Sequence, residues 1–491
     1  MILDLGTVRP LHRAVYAALR AAILAGDLPG GSRLPGSRSL ARDLAVSRIV
    51  VTTAYDQLVA EGYLVASGGA GTRVALDARA NLAGGPLPAR SAGSGAISAY
   101  ARRAQRLMPH ARAVRVKSRR GLVDFAYASF VPDAQALRDW RRAIGRAAAE
   151  PRFEYPDPSG DAELRDLLCR HLRRYRGVVA DAEDVLMVAG SQQALDVTAR
   201  ALCEAEVQIG IEDPHYQGAR QAFLAAGARL VPCGVDEDGF DIARHAARLQ
   251  NVRALYVTPS HQFPTGAVMK IERRMRLLAW AAERDAWLIE DDYDSEFRIG
   301  AGAVPALQGL DARGCTIYVG TFARTLSPSV RLGYVVVPAA LREAYRAIKW
   351  MTDRGTSSLE QRALADFLRS GAYERSQRRM ARALGERTDR LVRTLDAHLP
   401  AAAVRRRGAG AGAHIFLDVL GTPRAETGAL LERAERAGVR VYDGAPYFMQ
   451  APTHATLLCG YATLSPSDIE RGTIRLAEIL IASGGDVLPN G

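Results

Sequence analysis

Apolar positions change their period along the chain, and the changes divide it. Over residues 10–25, Leu11, Val15, Ala18, Leu19 and Ile23 recur at helical spacing, and Gly26 supplies a stop. The stretch LPGSRSLARDLAVSRIVVTTAYDQLVAEGYL then predicts two helices joined by a tight connection. The first covers about residues 39–44. The second opens at Ser47, a good N-cap residue, and sets Val51, Ala54, Tyr55 and Leu58 on one face, leaving Arg48, Ile49, Thr52, Thr53 and Gln57 on the other. A β-hairpin is expected from residues 62–65 and 68–74. Residues 78–121 begin rich in Gly, Pro, Ala and Ser and show no sustained amphipathic pattern before Ala99, which reads as a linker. Beyond it, strand-like apolar runs at 185–188, 207–211, 255–257, 287–289, 316–319 and 334–337 alternate with longer helical patterns. That alternation predicts an α/β domain with a largely parallel sheet. The expected division is 1–77, a basic flexible linker over 78–118, and 119–491.

Composition changes this picture in two places. The 491 residues are 48% hydrophobic and 24% charged, as in ordinary globular protein, with no basic leader before an apolar core and no run of about 18 uncharged apolar residues. A cytoplasmic protein without a membrane partner is expected. Five scattered cysteines without CxxC spacing suggest reduced thiols and no metal site. The net charge of +12 is concentrated: residues 78–120 hold ten Lys+Arg and no acid, whereas residues 1–77 hold eight Arg against six acids. Beside a DNA-binding candidate, such a segment could neutralise phosphates; as a solvated linker it needs no partner.

A short second helix with polar residues at its outward N-terminal end is what entry into a major groove requires. Residues 10–75, with LPGSRSLARDLAVSR at their centre, resemble the GntR-type winged helix-turn-helix. The resemblance implies that Arg38, Ser47, Arg48, Thr52 and Thr72 contact operator DNA. Ile49 departs from it, since a polar residue is usual there.

Five later segments occur in an order that makes joint chemical sense: GSQQAL (190–195), EDPHY (212–216), SHQFPTG (260–266), EDDYDSEF (290–297) and GTFARTLSPSVRLGY (320–334). A Gly-Ser turn opening a helix exposes amide N–H groups to a phosphate. A carboxylate such as Asp291 can keep a pyridine nitrogen protonated, Tyr293 can reach a ring hydroxyl, and Tyr216 offers a stacking face. Thr321 and Arg331 add a hydroxyl and a guanidinium fork for phosphate. Together the segments resemble fold-type I aminotransferases, and with the winged helix they resemble the MocR family of pyridoxal-phosphate-responsive regulators. The implied architecture is a winged helix-turn-helix, a linker, and a transferase-like domain with a mostly parallel central sheet and a smaller α+β C-terminal part. The implied cofactor-binding residues are Ser191, Gln192, Tyr216, Asp291, Tyr293, Thr321 and Arg331. A homodimer on operator DNA is expected, with an amino acid or amine as effector.

One departure dominates. Where the family has a Ser-Lys pair, this chain has Ala323-Arg324. The family's lysine holds pyridoxal phosphate as a Schiff base; a guanidinium is always protonated and is not a usable amine nucleophile. The three lysines, Lys117, Lys270 and Lys349, fall elsewhere in the pattern. No catalytic residue is therefore assigned, and pyridoxal phosphate is expected to bind non-covalently if it binds. Pro156 and His215 stand where glycines are usual, and Leu458 where many aminotransferases carry an arginine for the substrate carboxylate. His261 and His414, without a second base or metal-ligand spacing, are assigned to structure. Three readings stay open: a ligand-sensing regulator, a regulator whose large domain only dimerises, and an active aminotransferase, which the missing lysine opposes.

Overall fold

Each helix of the N-terminal unit gives one apolar face to a shared core. Helices α1 (Leu11–Ala25), α2 (Ser37–Asp43) and α3 (Arg48–Ala60) and the hairpin β1 (Leu64–Ser67) and β2 (Gly71–Val74) follow in order. Val15, Leu19, Ile23, Leu40, Val51, Ala54, Tyr55 and Leu58 are buried together, with Leu64 and Val74 paired across the hairpin. At about 1.5–3 kcal/mol per buried large aliphatic side chain, these few residues carry most of the unit's stability. Gly26 closes α1 in the left-handed conformation at φ +90°. Helix α2 starts two residues earlier than the sequence suggests, because the buried Tyr55 donates its hydroxyl to Pro35 O at 2.8 Å and fixes the entry loop. Ser47 does occupy the N-cap of α3, but its side chain makes no capping hydrogen bond.

The protein is represented by a computed structural model, which describes residues 9–67, 71–76, 97–108, 121–127, 133–150, 153–294, 305–408 and 412–483. It divides into two compact units, 1–97 and 98–491. The expected hairpin tip at 68–70 and most of the expected linker lie outside the described residues.

The larger unit begins with α4 (Ala99–Leu107), then β3 (Val123–Asp124), α5 (Ala134–Ala149), α6 (Ala162–Arg176), β4 (Val185–Val188), α7 (Ser191–Leu202), β5 (Gln208–Asp213) and α8 (Gln217–Ala226). It continues with β6 (Arg229–Asp236), β7 (Gly239–Phe240), α9 (Ile242–His245), β8 (Val252–Val257), α10 (Ile271–Arg284), β9 (Trp287–Asp292), β10 (Thr316–Thr321) and β11 (Gly333–Val336). Eight strands form one sheet in the order β4-β11-β10-β9-β8-β5-β6-β7. The five strands from β10 to β6 are mutually parallel, whereas β11 runs antiparallel to β10 and β4, and β7 to β6. The run at 334–337 is thus a strand, but an antiparallel one.

Both faces of the sheet are covered, which is why its strands read as continuous apolar runs. Val185 and Met187 of β4 join the cluster of α6, while Leu186 and Val188 join that of α7 and α8. Helices α11 (Arg342–Asp353), α12 (Ser358–Arg369) and α13 (Ala372–His398) lead to a smaller α+β part. Its strands are β12 (Val404–Arg407), β13 (His414–Pro423), β15 (Tyr442–Asp443) and β16 (His454–Gly460), in the order β12-β13-β16-β15; α14 (Thr427–Arg436) and β14 (Val439–Arg440) precede β15, and α15 (Pro466–Ser483) follows β16.

One part of the supposed linker is ordered: α4 packs on α8. Ser98 caps it, Tyr100 donates to Asp196 at 3.2 Å, and Arg103 Nε donates to Ala225 O at 2.9 Å. A flexible linker running to residue 118 therefore does not hold for α4. No described helix is long and apolar enough to cross a membrane, and among the described residues no cluster of three His, Cys, Asp or Glu side chains could hold a metal. All five cysteines are free thiols, three of them buried.

Candidate functional site

Ser191, Gln192, Tyr216 and Tyr293 follow the carboxyl ends of β4, β5 and β9, Asp291 and Thr321 stand at the ends of β9 and β10, and Arg331 precedes β11, at the strand-end side where open α/β sheets place their ligands. The antiparallel β11 is the reason that several of them meet. Its first residue, Gly333, pairs with Thr321 at the end of β10 on one side and with Val188 at the end of β4 on the other. A Cβ on Gly333 would lie 2.9 Å from Gly320 O and 3.0 Å from Gly190 Cα, so the three loops close only around a glycine. Gly190 sits at φ +84° as the N-cap of α7, leaving the first-turn amides of Ser191 and Gln192 without intrahelical acceptors. Arg331 places its guanidinium 3.0–3.2 Å from the Cβ position of Gly190 and donates to Ala189 O at 2.9 Å. Thr321 Oγ1 accepts the amide of Ala323 at 3.1 Å, and Gln192 bridges to Gly218 O of α8 at 3.1 Å.

Asp291 of β9 is buried, and Tyr256 of the neighbouring β8 donates to its Oδ2 at 2.7 Å. Its Oδ1, equally buried, has no hydrogen-bond partner among the described residues. Burial pushes this carboxyl up to about 7, against the Tyr256 bond, and the nearby Asp292 charge adds to the rise. A buried acceptor left open in this way is a site for a ring N–H. Tyr293, two residues on, shares a 2.8 Å hydrogen bond between its hydroxyl and His261 Nδ1, and burial pushes its own pKa up. Tyr216 precedes α8 and meets Phe263 edge-on at 5.8 Å.

Arg324 reaches into the same aromatic group. Its Cζ lies 5.9 Å from the Tyr293 ring centre and its Nη1 donates to Tyr127 O at 3.0 Å. Leu458 is fully buried among Phe263, Phe416 and Tyr447, so the place expected for a carboxylate-binding arginine is apolar. The two described lysines hold partners elsewhere. Lys270 pairs with Asp238 at the surface at 2.8 Å; Lys349 is buried among Asp353, Thr356 and Gln193.

In the N-terminal unit, Arg38, Ser47 and Arg48 are exposed, Thr52 and Thr72 half-buried. Arg48 Nε reaches Ser37 Oγ at 3.4 Å, which joins the N-termini of α2 and α3, and the first turn of α3 carries no acid. Thr52 Oγ1 donates back to Arg48 O at 3.0 Å, so part of its hydroxyl is already used. Thr72 stands apart on β2, its carbonyl accepting the amide of Leu34 at 2.9 Å. Ile49 is 76% exposed, an apolar tip between the polar residues of α3.

Known proteins repeat this two-part pattern. Residues 11–74 match the bacterial regulatory proteins of the gntR family, and residues 128–409 match aminotransferase class I and II. A probable rhizopine catabolism regulatory protein, MocR, of Rhizobium meliloti is 36% identical over 99% of this chain and 97% of its own length. The chain belongs to the MocR-type transcription regulators. Within the family it is also 33% identical, over 82% of each chain, to the pyridoxine biosynthesis regulator PdxR of Corynebacterium glutamicum. The larger unit superposes on LysN, an α-aminoadipate aminotransferase of Thermus thermophilus solved with N-(5'-phosphopyridoxyl)-L-leucine, with a TM-score of 0.67 and 29% identity over 74% of this chain and 93% of LysN.

The MocR-type fold brings Ser191, Thr321 and Arg331 to one corner and Asp291, Tyr293 and Tyr216 to the adjoining strand ends. Sequence reasoning missed Tyr256 and Tyr127, which sit in no motif. It also set His261 aside, although its ring hydrogen-bonds Tyr293; the available signal was its place in SHQFPTG, directly after the last residues of β8. His414 Nε2 donates to Pro264 O at 3.0 Å, and the ring packs on His261 and Phe263.

Proposed function

We propose that this MocR-type regulator binds operator DNA as a homodimer in the cytoplasm and senses a pyridoxal-phosphate-like ligand held without a covalent bond. The observation that carries the reading is Asp291. An oxygen buried without a partner at a strand end costs free energy, on the order of 1–3 kcal/mol, and a ligand ring nitrogen would relieve it. Tyr293 would meet the ring hydroxyl and Tyr216 the ring face, while the amides of Ser191 and Gln192, with Thr321 and Arg331, would take the phosphate. Such a group, when bound, supplies an electron-withdrawing pyridine ring. With Arg324 in place of the lysine, the chain's own residues bind and orient it but offer at that position no amine to attach or to shuttle a proton, so transaminase turnover is not expected. The phosphopyridoxyl ligand of LysN supports the ligand class.

On the DNA side, Arg38, Ser47, Arg48, Thr52 and Thr72 are assigned to backbone and base contacts, a reading favoured by the exposure of Arg38, Ser47 and Arg48 and by the acid-free first turn of α3. A second reading, in which the larger unit serves only for dimerisation, is favoured by one observation: Thr321 and Arg331 already hold partners inside the chain. A mobility-shift titration of the DNA upstream of the gene, with and without pyridoxal 5'-phosphate, tests both. Retarded DNA whose midpoint moves with the ligand supports the sensor; a midpoint indifferent to saturating ligand supports the scaffold; no retarded species contradicts the regulator itself.

A further inference from the structure

The aromatic group around Arg324 has an uneven charge. Tyr127, Tyr216, Phe263, Tyr293 and Tyr447 pack as one cluster, closed by Leu458. Arg324 lies against the Tyr293 ring and spends one N–H on Tyr127 O, while Arg331 also bears on Tyr216 from the phosphate corner. Among the described residues Arg324 has no carboxylate partner. The acids of the site are engaged elsewhere: Asp291 is bonded by Tyr256, and Asp294 lies 3.5 Å from His261 Nδ1. Burial raises the pKa of the Tyr216 and Tyr293 hydroxyls and lowers that of the His414 ring; the Arg324 charge works against the first two shifts and adds to the third. A planar guanidinium with unspent donors, held on an aromatic face and always charged, is a receptor for an oxygen acceptor and a barrier to an ammonium.

We propose that Arg324 selects the ligand by the group it presents to this cluster, accepting an aldehyde or carboxylate oxygen and rejecting an amine. The inference rests on the ligand-binding reading above and narrows it. Instead of a covalent attachment point, position 324 becomes a discriminator: a pyridine phosphate bearing a carbonyl or carboxylate is retained, and its aminomethyl counterpart is turned away.

Pyridoxal 5'-phosphate and pyridoxamine 5'-phosphate form the minimal pair, since they share ring, ring nitrogen, hydroxyl and phosphate and differ in one substituent. Their dissociation constants are measured by isothermal titration on the full-length protein, with inorganic phosphate as the reference for phosphate binding alone. Borohydride treatment and mass spectrometry check that the aldehyde has not attached elsewhere. The aldehyde is expected to bind at least about tenfold more tightly than the amine, the ratio that a like-charge contact in a partly buried site would impose. Arg324→Met should bring the two within about threefold by strengthening the amine. Arg324→Lys, which should fix the aldehyde covalently, shows that variants at this position still fold a working pocket. Equal affinities in the native protein would overturn the selectivity and leave the ligand-binding reading standing; a preference that survives in Arg324→Met would overturn the role of Arg324; no binding of either compound would overturn both.

Discussion

At Asp291 the residue chemistry and the fold meet most directly. Its carboxyl keeps a proton in the folded chain up to about pH 7, whereas an unfolded aspartate loses it near pH 3.9. Folding therefore takes up a proton between these values, and this group's contribution lowers stability as pH rises from about 4 to about 7. Asp291→Asn, which imitates the neutral acid, is expected to leave Tm nearly unchanged at about pH 4 and to raise it at pH 8, by up to about 4 kcal/mol of unfolding free energy. Differential scanning calorimetry at both pH values checks this; an equal effect at both would show that Asp291 is ionised in the folded chain. In the small unit, Arg48→Ala is expected to weaken operator binding by about 1–3 kcal/mol if the guanidinium reads a base edge, measured by gel shift. An unchanged gel shift would remove α3 from the recognition role. Asp291, Tyr293 and Arg324 could be singled out from the sequence because each stands in a motif with a fixed chemical use, and the fold sets Asp291 and Tyr293 at the end of one strand with Arg324 against the Tyr293 ring. Tyr256 and Tyr127 could not be, because nothing local marks a tyrosine on β8 or before α5 as the neighbour of a residue 35 or 197 positions away.

Among the elements, the six strand runs were legible as continuous apolar stretches, since a sheet covered on both faces leaves no alternation to misread. The direction of β11 was not. Nothing in Gly333–Val336 distinguishes an antiparallel strand, yet that reversal is what brings Thr321, Gly190 and Arg331 together. Gly333→Ala should force the three loops apart, with a cost of about 1–3 kcal/mol as for other overpacked sites and a loss of phosphate affinity larger than the loss of stability implies. Thermal unfolding beside ligand titration separates the two effects. Helix α4 was counted with the linker, although the amphipathic pattern starts at Ala99, because it buries none of its residues and lies within a basic stretch. Tyr100 and Arg103 hold it to α7 and α8, the helices that carry Gln192 and follow Tyr216. In the double variant Tyr100→Phe, Arg103→Ala, amide exchange over residues 99–107 should rise at least about tenfold while β8 and β9 stay protected. Unaltered exchange in α4 would mean that other contacts hold it.

On the scale of the whole molecule, the chain is a MocR-type regulator that carries an aminotransferase fold behind a winged helix, with Arg324 beside the aromatic group at its strand ends. If two winged helices read paired half-sites, the basic segment between the units sets their reach. Halving residues 78–97 should then change the half-site spacing that is bound, measured on operators of graded spacing; unchanged preference would place the spacing control elsewhere. The claim that joins both units is non-covalent sensing, and equilibrium dialysis of pyridoxal 5'-phosphate against the native protein, followed by borohydride treatment and mass spectrometry, addresses it most directly. Saturable binding that leaves the protein mass unchanged after borohydride is the predicted result. A covalent adduct on a lysine, or no saturable binding at all, would contradict it.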